Sequence, residues 1–183
     1  MFRKISLLLS LSLLLGFSAS AQDSKADVYV GYQYTRQTYT GTTFNMNGAV
    51  GQIAVYPTSW LGIVGEVSGS AVGNINGFTG SGGTLYSYMG GPRLAFRHGP
   101  LQPYVQGLFG VGQLDSTLQA RLGSPSSTAF ATAVGGGLDL KASRHFAVRL
   151  IQGDYFLTRF TNPLNARFSQ NNFRLSAGLV LRF

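Results

Sequence analysis

The chain has 183 residues, a formal net charge of +8, no cysteine and only 11% charged residues, against 13% aromatic residues and 25 glycines. That length allows one domain with a single sizeable core, and the lack of cysteine excludes a disulfide-stapled fold. The basic residues are scattered, with no Lys/Arg cluster or basic helix, so the positive charge does not point to nucleic acid.

The first 21 residues read as a cleaved signal peptide. Arg3 and Lys4 form a basic start, Ile5 to Leu15 an apolar core, and Ala19-Ser20-Ala21 a small-residue cleavage site before Gln22. Its apolar core is short for a membrane-spanning helix, and no later apolar run is long enough for one. Cleavage removes Arg3 and Lys4 from the fourteen basic residues and leaves twelve against six acidic ones. The mature domain is residues 22–183.

Period-two alternation begins with Val28, Val30, Tyr32 and Tyr34 on one face and Tyr29, Gly31, Gln33 and Thr35 on the other. Thr38 to Phe44 reads as a polar loop. Asn45 to Tyr56 is a second strand, with Gln52 facing inward and Ile53 and Val55 outward, and Pro57-Thr58-Ser59 forms a tight turn. Trp60 opens a third strand at an expected membrane interface, where an amphipathic ring is favoured. Leu61, Ile63 and Val67 then share one face and Gly62, Val64, Glu66, Ser68 and Ser70 the other, which places Glu66 inside.

Val72 to Gly83 reads as a Gly/Asn/Ser loop. In the fourth strand, Leu85 to Phe96, Tyr86, Tyr88, Leu94 and Phe96 face outward and Ser87, Met89, Arg93 and Ala95 inward, with a bulge expected at Gly90-Gly91-Pro92 because proline lacks a ladder donor. After the short turn Arg97-His98-Gly99-Pro100, the fifth strand alternates Pro103, Val105, Gly107, Phe109 and Val111 with Gln102, Tyr104, Gln106, Leu108 and Gly110. Gln113 to Thr128 is the longest expected loop. The sixth strand turns Phe130, Val134, Leu138 and Leu140 outward and Ala129, Ala131, Ala133, Gly135 and Gly137 inward, as a narrow lumen requires.

Beyond the turn Lys141 to Arg144, the seventh strand puts Phe146, Val148 and Leu150 outward and Arg149 inward. Strict alternation would leave Asp154 facing lipid. A bulge at Gly153 would return this carboxylate to the interior. Arg159 to Asn171 is the last expected loop. The final strand carries Phe173, Leu175, Ala177, Leu179, Leu181 and Phe183 on one face and Arg174, Ser176, Gly178, Val180 and Arg182 on the other.

The fold expected is all-β: an eight-stranded, antiparallel, up-and-down transmembrane β-barrel with short turns at one end and longer connections at the other. A closed sheet is the one way for such strands to cross a bilayer without exposing unpaired backbone groups to lipid. Eight strands leave an interior that side chains just fill. A lipocalin-like soluble barrel would need the opposite polarity, apolar inside and polar outside.

Several segments together resemble the outer-membrane protein β-barrel domain family, the small OmpA/OmpX-like barrels and acidobacterial-type members in particular. They are Gly31-Tyr32-Gln33-Tyr34, Trp60-Leu61-Gly62 followed by Glu66, Gly91-Pro92-Arg93, Pro103 to Gly110, Gly135-Gly136-Gly137-Leu138-Asp139 and the terminal Arg182-Phe183. The resemblance covers the mature chain. It implies a Gram-negative-type outer membrane, both termini in the periplasm, and contact with outer-membrane lipid and lipopolysaccharide. It also implies that Phe173, Leu175, Leu179, Leu181 and Phe183 form a C-terminal signal read by the barrel-assembly machinery. OmpA-type proteins often continue into a peptidoglycan-binding domain; such anchoring is not carried over to a chain ending at Phe183.

Function is expected to be structural or interactive. The interior polar network is Glu66, Arg93, Gln106, Arg149, Asp154 and Arg174, with Gln52 nearby, and it reads as a plug of paired charges. A narrow anion-favouring channel is the alternative, because arginines outnumber carboxylates in that set. A lipid-modifying enzyme is a distant third: His98 and His145 both fall in predicted turns without a Ser/Asp pairing. No cofactor or metal is expected. A surface ligand or protein would be met by Asn74 to Gly83, Leu114 to Ser127 and Thr161 to Gln170.

Overall fold

The computed structural model describes residues 25–39, 42–75, 78–116, 126–161 and 167–183; the expected signal peptide, residues 1–21, lies outside them. Eight strands follow in order: β1 (Ala26–Tyr39), β2 (Thr42–Val55), β3 (Leu61–Ile75), β4 (Phe78–Ala95), β5 (Leu101–Ser116), β6 (Ser126–Lys141), β7 (Phe146–Thr161) and β8 (Arg167–Arg182). Each pairs antiparallel with the next, and β1 pairs with β8 to close the barrel. At the seam the Ala26 and Phe183 backbones exchange two hydrogen bonds of 3.1 and 2.8 Å.

Alternation decides the two faces. Val30, Ile63, Phe96, Val105, Phe130, Val134 and Leu179 stand exposed on the outer wall, while Tyr29, Gln52, Glu66, Arg93, Arg149 and Arg174 are buried inside. This inverts the polarity of a water-soluble domain. Apolar side chains covering a whole barrel wall are stable only when hydrocarbon surrounds them.

The strands run well past the expected loop boundaries. Thr38, Tyr39 and Thr42 to Phe44 belong to the β1–β2 ladder, and Val72 to Ile75 and Phe78 to Gly83 to β3 and β4, with a register shift between Val72 and Asn74. Gln113 to Ser116 and Ser126 to Thr128 extend β5 and β6, and Arg159 to Thr161 and Arg167 to Asn171 extend β7 and β8. Polarity had marked these segments as loops. A hairpin ladder needs only backbone donors and acceptors, so strands continue through polar sequence above a membrane.

The other end holds the short turns. Thr58 Oγ1 accepts a hydrogen bond from the Leu61 amide at 3.1 Å, and Trp60, expected to open β3, lies in that turn just before it. Gly99 adopts φ 81° in the turn between β4 and β5, a left-handed conformation that a Cβ penalises.

Two expected bulges differ from those observed. At Pro92 the register is uninterrupted: Pro92 lies opposite Ile63 on β3, and the β4–β5 ladder omits Gly91 and Pro92 but resumes in the same register at Arg93↔Gln106. The missing donor is accommodated on the β5 side without an extra residue. In β7 the extra residue lies at Leu150-Ile151, three positions before Gly153. Ile151 is opposite Leu138 while Arg149 is opposite Asp139, and the β8 ladder steps from Arg149↔Gly178 to Gln152↔Ser176. Leu150 and Ile151 are both exposed, at 46% and 52%. Consecutive apolar residues on the lipid side cost little, and the slip turns both Gln152 and Asp154 inward.

Candidate functional site

The polar interior is assembled first from register partners on adjacent strands. Gln52 lies opposite Glu66, Arg93 opposite Gln106, Asp139 opposite Arg149, Asp154 opposite Arg174, and Asp27 opposite Arg182. Cross-strand neighbours on one face sit within side-chain reach. Four of these pairs are joined by side-chain hydrogen bonds: Gln52 Nε2 donates to Glu66 Oε2 at 2.6 Å, Arg93 Nη2 to Gln106 Oε1 at 2.6 Å, Arg149 Nε to Asp139 Oδ1 at 2.8 Å and Arg174 Nη2 to Asp154 Oδ2 at 3.2 Å.

A second set of contacts crosses the lumen. Arg149 Nη1 on β7 donates to Gln52 Oε1 on β2 at 2.6 Å, and Arg93 on β4 donates to the same oxygen. Gln106 Nε2 on β5 reaches Asp154 Oδ1 on β7 at 3.2 Å, and Arg174 Nη2 on β8 lies 2.8 Å from Glu66 Oε1 on β3. Tyr104 Oη and Gln152 extend the web: Tyr104 donates to Gln152 Oε1, and Gln152 Nε2 to Asp154 Oδ2, both at 2.7 Å. The six expected network residues thus meet in one connected assembly with Gln52 among them.

Arg149 is the hub. Its guanidinium holds Asp139 with two donors and lies between the rings of Tyr29 and Tyr104, 4.0 and 4.5 Å from their centroids. Stacking on aromatic faces suits a weakly hydrated planar cation in a dry interior. Glycine makes the space. A Cβ at Gly137 would meet the Tyr104 hydroxyl, and one at Gly135 would meet the Asp154 carboxylate.

A further layer closes the end that carries the termini. Arg97 and Arg182 lie 3.2 and 3.8 Å from Asp27, Arg182 lies 3.6 Å from Asp139, and Arg182 Nη1 donates to Gln102 Oε1 at 2.6 Å. Sequence reasoning passed over Asp27, Asp139 and Arg182 as network members, although alternation puts them on the faces of Tyr29, Gly137 and Arg174. Gln152 carried no usable signal, because the bulge resets its face. Counting these, five arginines face four buried carboxylates among the described residues. Their charges nearly balance, as paired charges withdrawn from water should.

His98 and His145 are exposed in turns at the terminal end, away from this web. Among the described residues no group of three His, Cys, Asp or Glu is placed to hold a metal ion. Trp60 is exposed on the outer wall at the same end.

A closed eight-stranded barrel with charge inside and a hydrocarbon-facing wall defines the class of small outer-membrane β-barrels. The chain belongs to the outer membrane protein beta-barrel domain family, whose profile matches residues 7–183. Similar solved structures include Neisserial surface protein A, with 14% identity and a TM-score of 0.66 over 87% of this chain and 98% of that one. Ail, the attachment invasion locus protein of Yersinia pestis, is 19% identical with a TM-score of 0.59 over 88% and 100%. OprG of Pseudomonas aeruginosa is 9% identical with a TM-score of 0.50 over 90% and 99%. No curated protein matches the sequence.

Proposed function

We propose that this chain is a plugged barrel that acts at the cell surface through the hairpins at the end opposite its termini, with both termini in the periplasm. The observation that carries the reading is where the wall comes apart. The β2–β3 ladder ends at Asn47↔Ala71, yet β2 continues to Thr42 in its hairpin with β1, and β3 to Ile75 in its hairpin with β4. Beyond that level the two hairpins form no ladder with each other among the described residues. Ribbons held on a rigid barrel present backbone edges and turns to a partner.

Partner chemistry follows from charge. Arg36 lies toward this end of β1, and Arg159 and Arg167 lie in the β7–β8 hairpin, against Asp115 near the end of β5. That balance favours an anionic partner, such as the phosphates of lipopolysaccharide or a sulfated polysaccharide. Ail has been crystallised with the heparin analogue sucrose octasulfate, which makes heparin a practical first probe. Folded protein in detergent should be retained on immobilised heparin at physiological salt, and an R159Q/R167Q variant should elute earlier. Passage of the wild type through the column, or equal elution of the two, would refute the anionic-partner reading.

A second reading, a narrow small-solute channel favouring anions, draws on the excess of one arginine over the carboxylates inside. The plug predicts no conductance above background in planar bilayers; a steady anion-selective current would replace it with the channel. No catalytic role enters this proposal.

A further inference from the structure

The outer wall at the terminal end carries a feature that neither a plug nor a surface hairpin requires. Trp60, Leu94, Phe96, Pro103 and Val105 line a shallow groove across the lipid-facing side of β4 and β5. The groove abuts adjoining turns: the Ala95 amide donates to the Trp60 carbonyl, and the Lys141 amide to the Pro100 carbonyl, each at 2.8 Å. These contacts bring the turns at 57–60, 97–100 and 142–145 side by side at the groove's mouth.

The mouth is cationic. Lys141 and Arg144 are the exposed cations there, beside the exposed rings of His98, which stacks on Phe96 at a ring-centroid distance of 5.2 Å, and His145. Asp27 and Asp139, the two nearest this end, are buried in the lumen and joined to arginines, and no Asp or Glu among the described residues is exposed at this rim. An acyl-chain-sized apolar trough beneath exposed cations complements one chemistry: a lipid whose headgroup phosphate carries net negative charge. Basic side chains near a bilayer surface attract such headgroups.

We propose that this groove is a binding site for an anionic diacyl phospholipid of the leaflet that meets the terminal end, with an acyl chain along Trp60, Leu94, Phe96 and Val105 and its phosphate held by Lys141 and its neighbouring cations. The site lies on the side of β4 and β5 and is independent of the hairpins at the other end. A membrane lipid would be held in register there, fixing the depth at which the barrel sits.

Trp60 supplies the readout, being the only tryptophan in the chain. The full-length mature protein is folded into phosphatidylcholine bilayers carrying matched mole fractions of either brominated phosphatidylglycerol or brominated phosphatidylcholine, and Trp60 fluorescence is recorded. Brominated phosphatidylglycerol should quench roughly two- to five-fold more effectively, the range that loss of about one surface cation's attraction represents. K141Q should bring the two lipids toward equal quenching, while K25Q, an equal charge change on the same rim beside Tyr56 and the β2–β3 turn, should leave the preference intact. Heat-modifiable gel mobility verifies that each variant is folded.

Equal quenching by both lipids in the wild type overturns the proposal. So does a preference reduced equally by K25Q and K141Q, which would mark a diffuse surface potential. Weak quenching by both lipids together with a dimer in detergent would assign the groove to a second copy of this chain, and overturn it likewise. None of these outcomes bears on heparin retention or conductance.

Discussion

Arg174 on β8 sits between two carboxylates that come from opposite sides of the barrel: its Nη2 lies 2.8 Å from Glu66 on β3 and 3.2 Å from Asp154 on β7. One cation therefore ties three strands together across the lumen. Either acid alone still leaves the guanidinium a counter-charge. Removing both should strand it, so the two losses should not add. E66A should lower the unfolding midpoint in detergent more than S126A at the start of β6. The E66A/D154A double variant should show a coupling energy with the singles on the order of 1 kcal/mol. Equal midpoints for E66A and S126A would sink the network.

Arg149 and Arg93 are both fully buried but differ in partners. Arg149 is bonded to Asp139 through two donors, whereas Arg93 bonds to Gln52 and Gln106. R149M takes both hydrogen bonds from the buried Asp139, leaving it only the longer 3.6 Å contact with Arg182, and should cost about 3–5 kcal/mol. R93M leaves neutral amide oxygens short of a donor and should cost about 1–3 kcal/mol. Urea titrations of both in the same lipid check the order, and a smaller loss for R149M would contradict the assignment of Arg149 as hub.

Deleting Leu150, which has no partner in the β6 ladder, removes the extra residue of the β7 bulge. Gln152 and Asp154 would then rotate to the lipid face, because a one-residue slip exchanges the two faces of a strand. The deletion variant should fail to give a compact, heat-modifiable band on refolding, while Ile151→Val should refold like the parent. A normally folding deletion would mean that the bulge does not set the interior.

At Gly137, a methyl group would come within 2.5 Å of the Tyr104 hydroxyl and 2.6 Å of the Ile151 carbonyl. G137A should push the ring off Gln152 and Arg149 and lower stability by about 1–3 kcal/mol, the usual range for overpacking. Combining it with Tyr104→Phe, which withdraws the colliding oxygen, should recover part of the loss. A combined loss equal to the sum of the two would argue against direct contact.

Much of this architecture was legible in the sequence, because lipid enforces a simple rule at every strand position. Val30, Ile63, Val105 and Leu179 could face only hydrocarbon, and Gln52, Glu66, Arg93 and Arg174 only the lumen, so period-two alternation gave strand count, facing and closure together. Asp27, Asp139 and Arg182 obeyed the same rule and were there to be found. The rule fails where the chain departs from period two or leaves the membrane. At Leu150-Ile151 two apolar residues lie on one face, and only pairing with β6 and β8 shows which is extra. In the hairpins of Thr42 to Phe44 and Phe78 to Gly83, polar residues form ladders through backbone groups that composition does not report.

By itself, then, the sequence determined the class: alternating strands with a hydrocarbon face and an arginine face permit a closed membrane barrel and little else. Tertiary structure decided which charges meet. Gln52 and Arg149 are 97 positions apart, and their contact depends on strand order, the bulge in β7 and the curvature that carries β2 across the lumen from β7. Those are properties of the closed sheet, fixed only when β1 and β8 pair, and no local pattern of residues encodes the distance across a barrel.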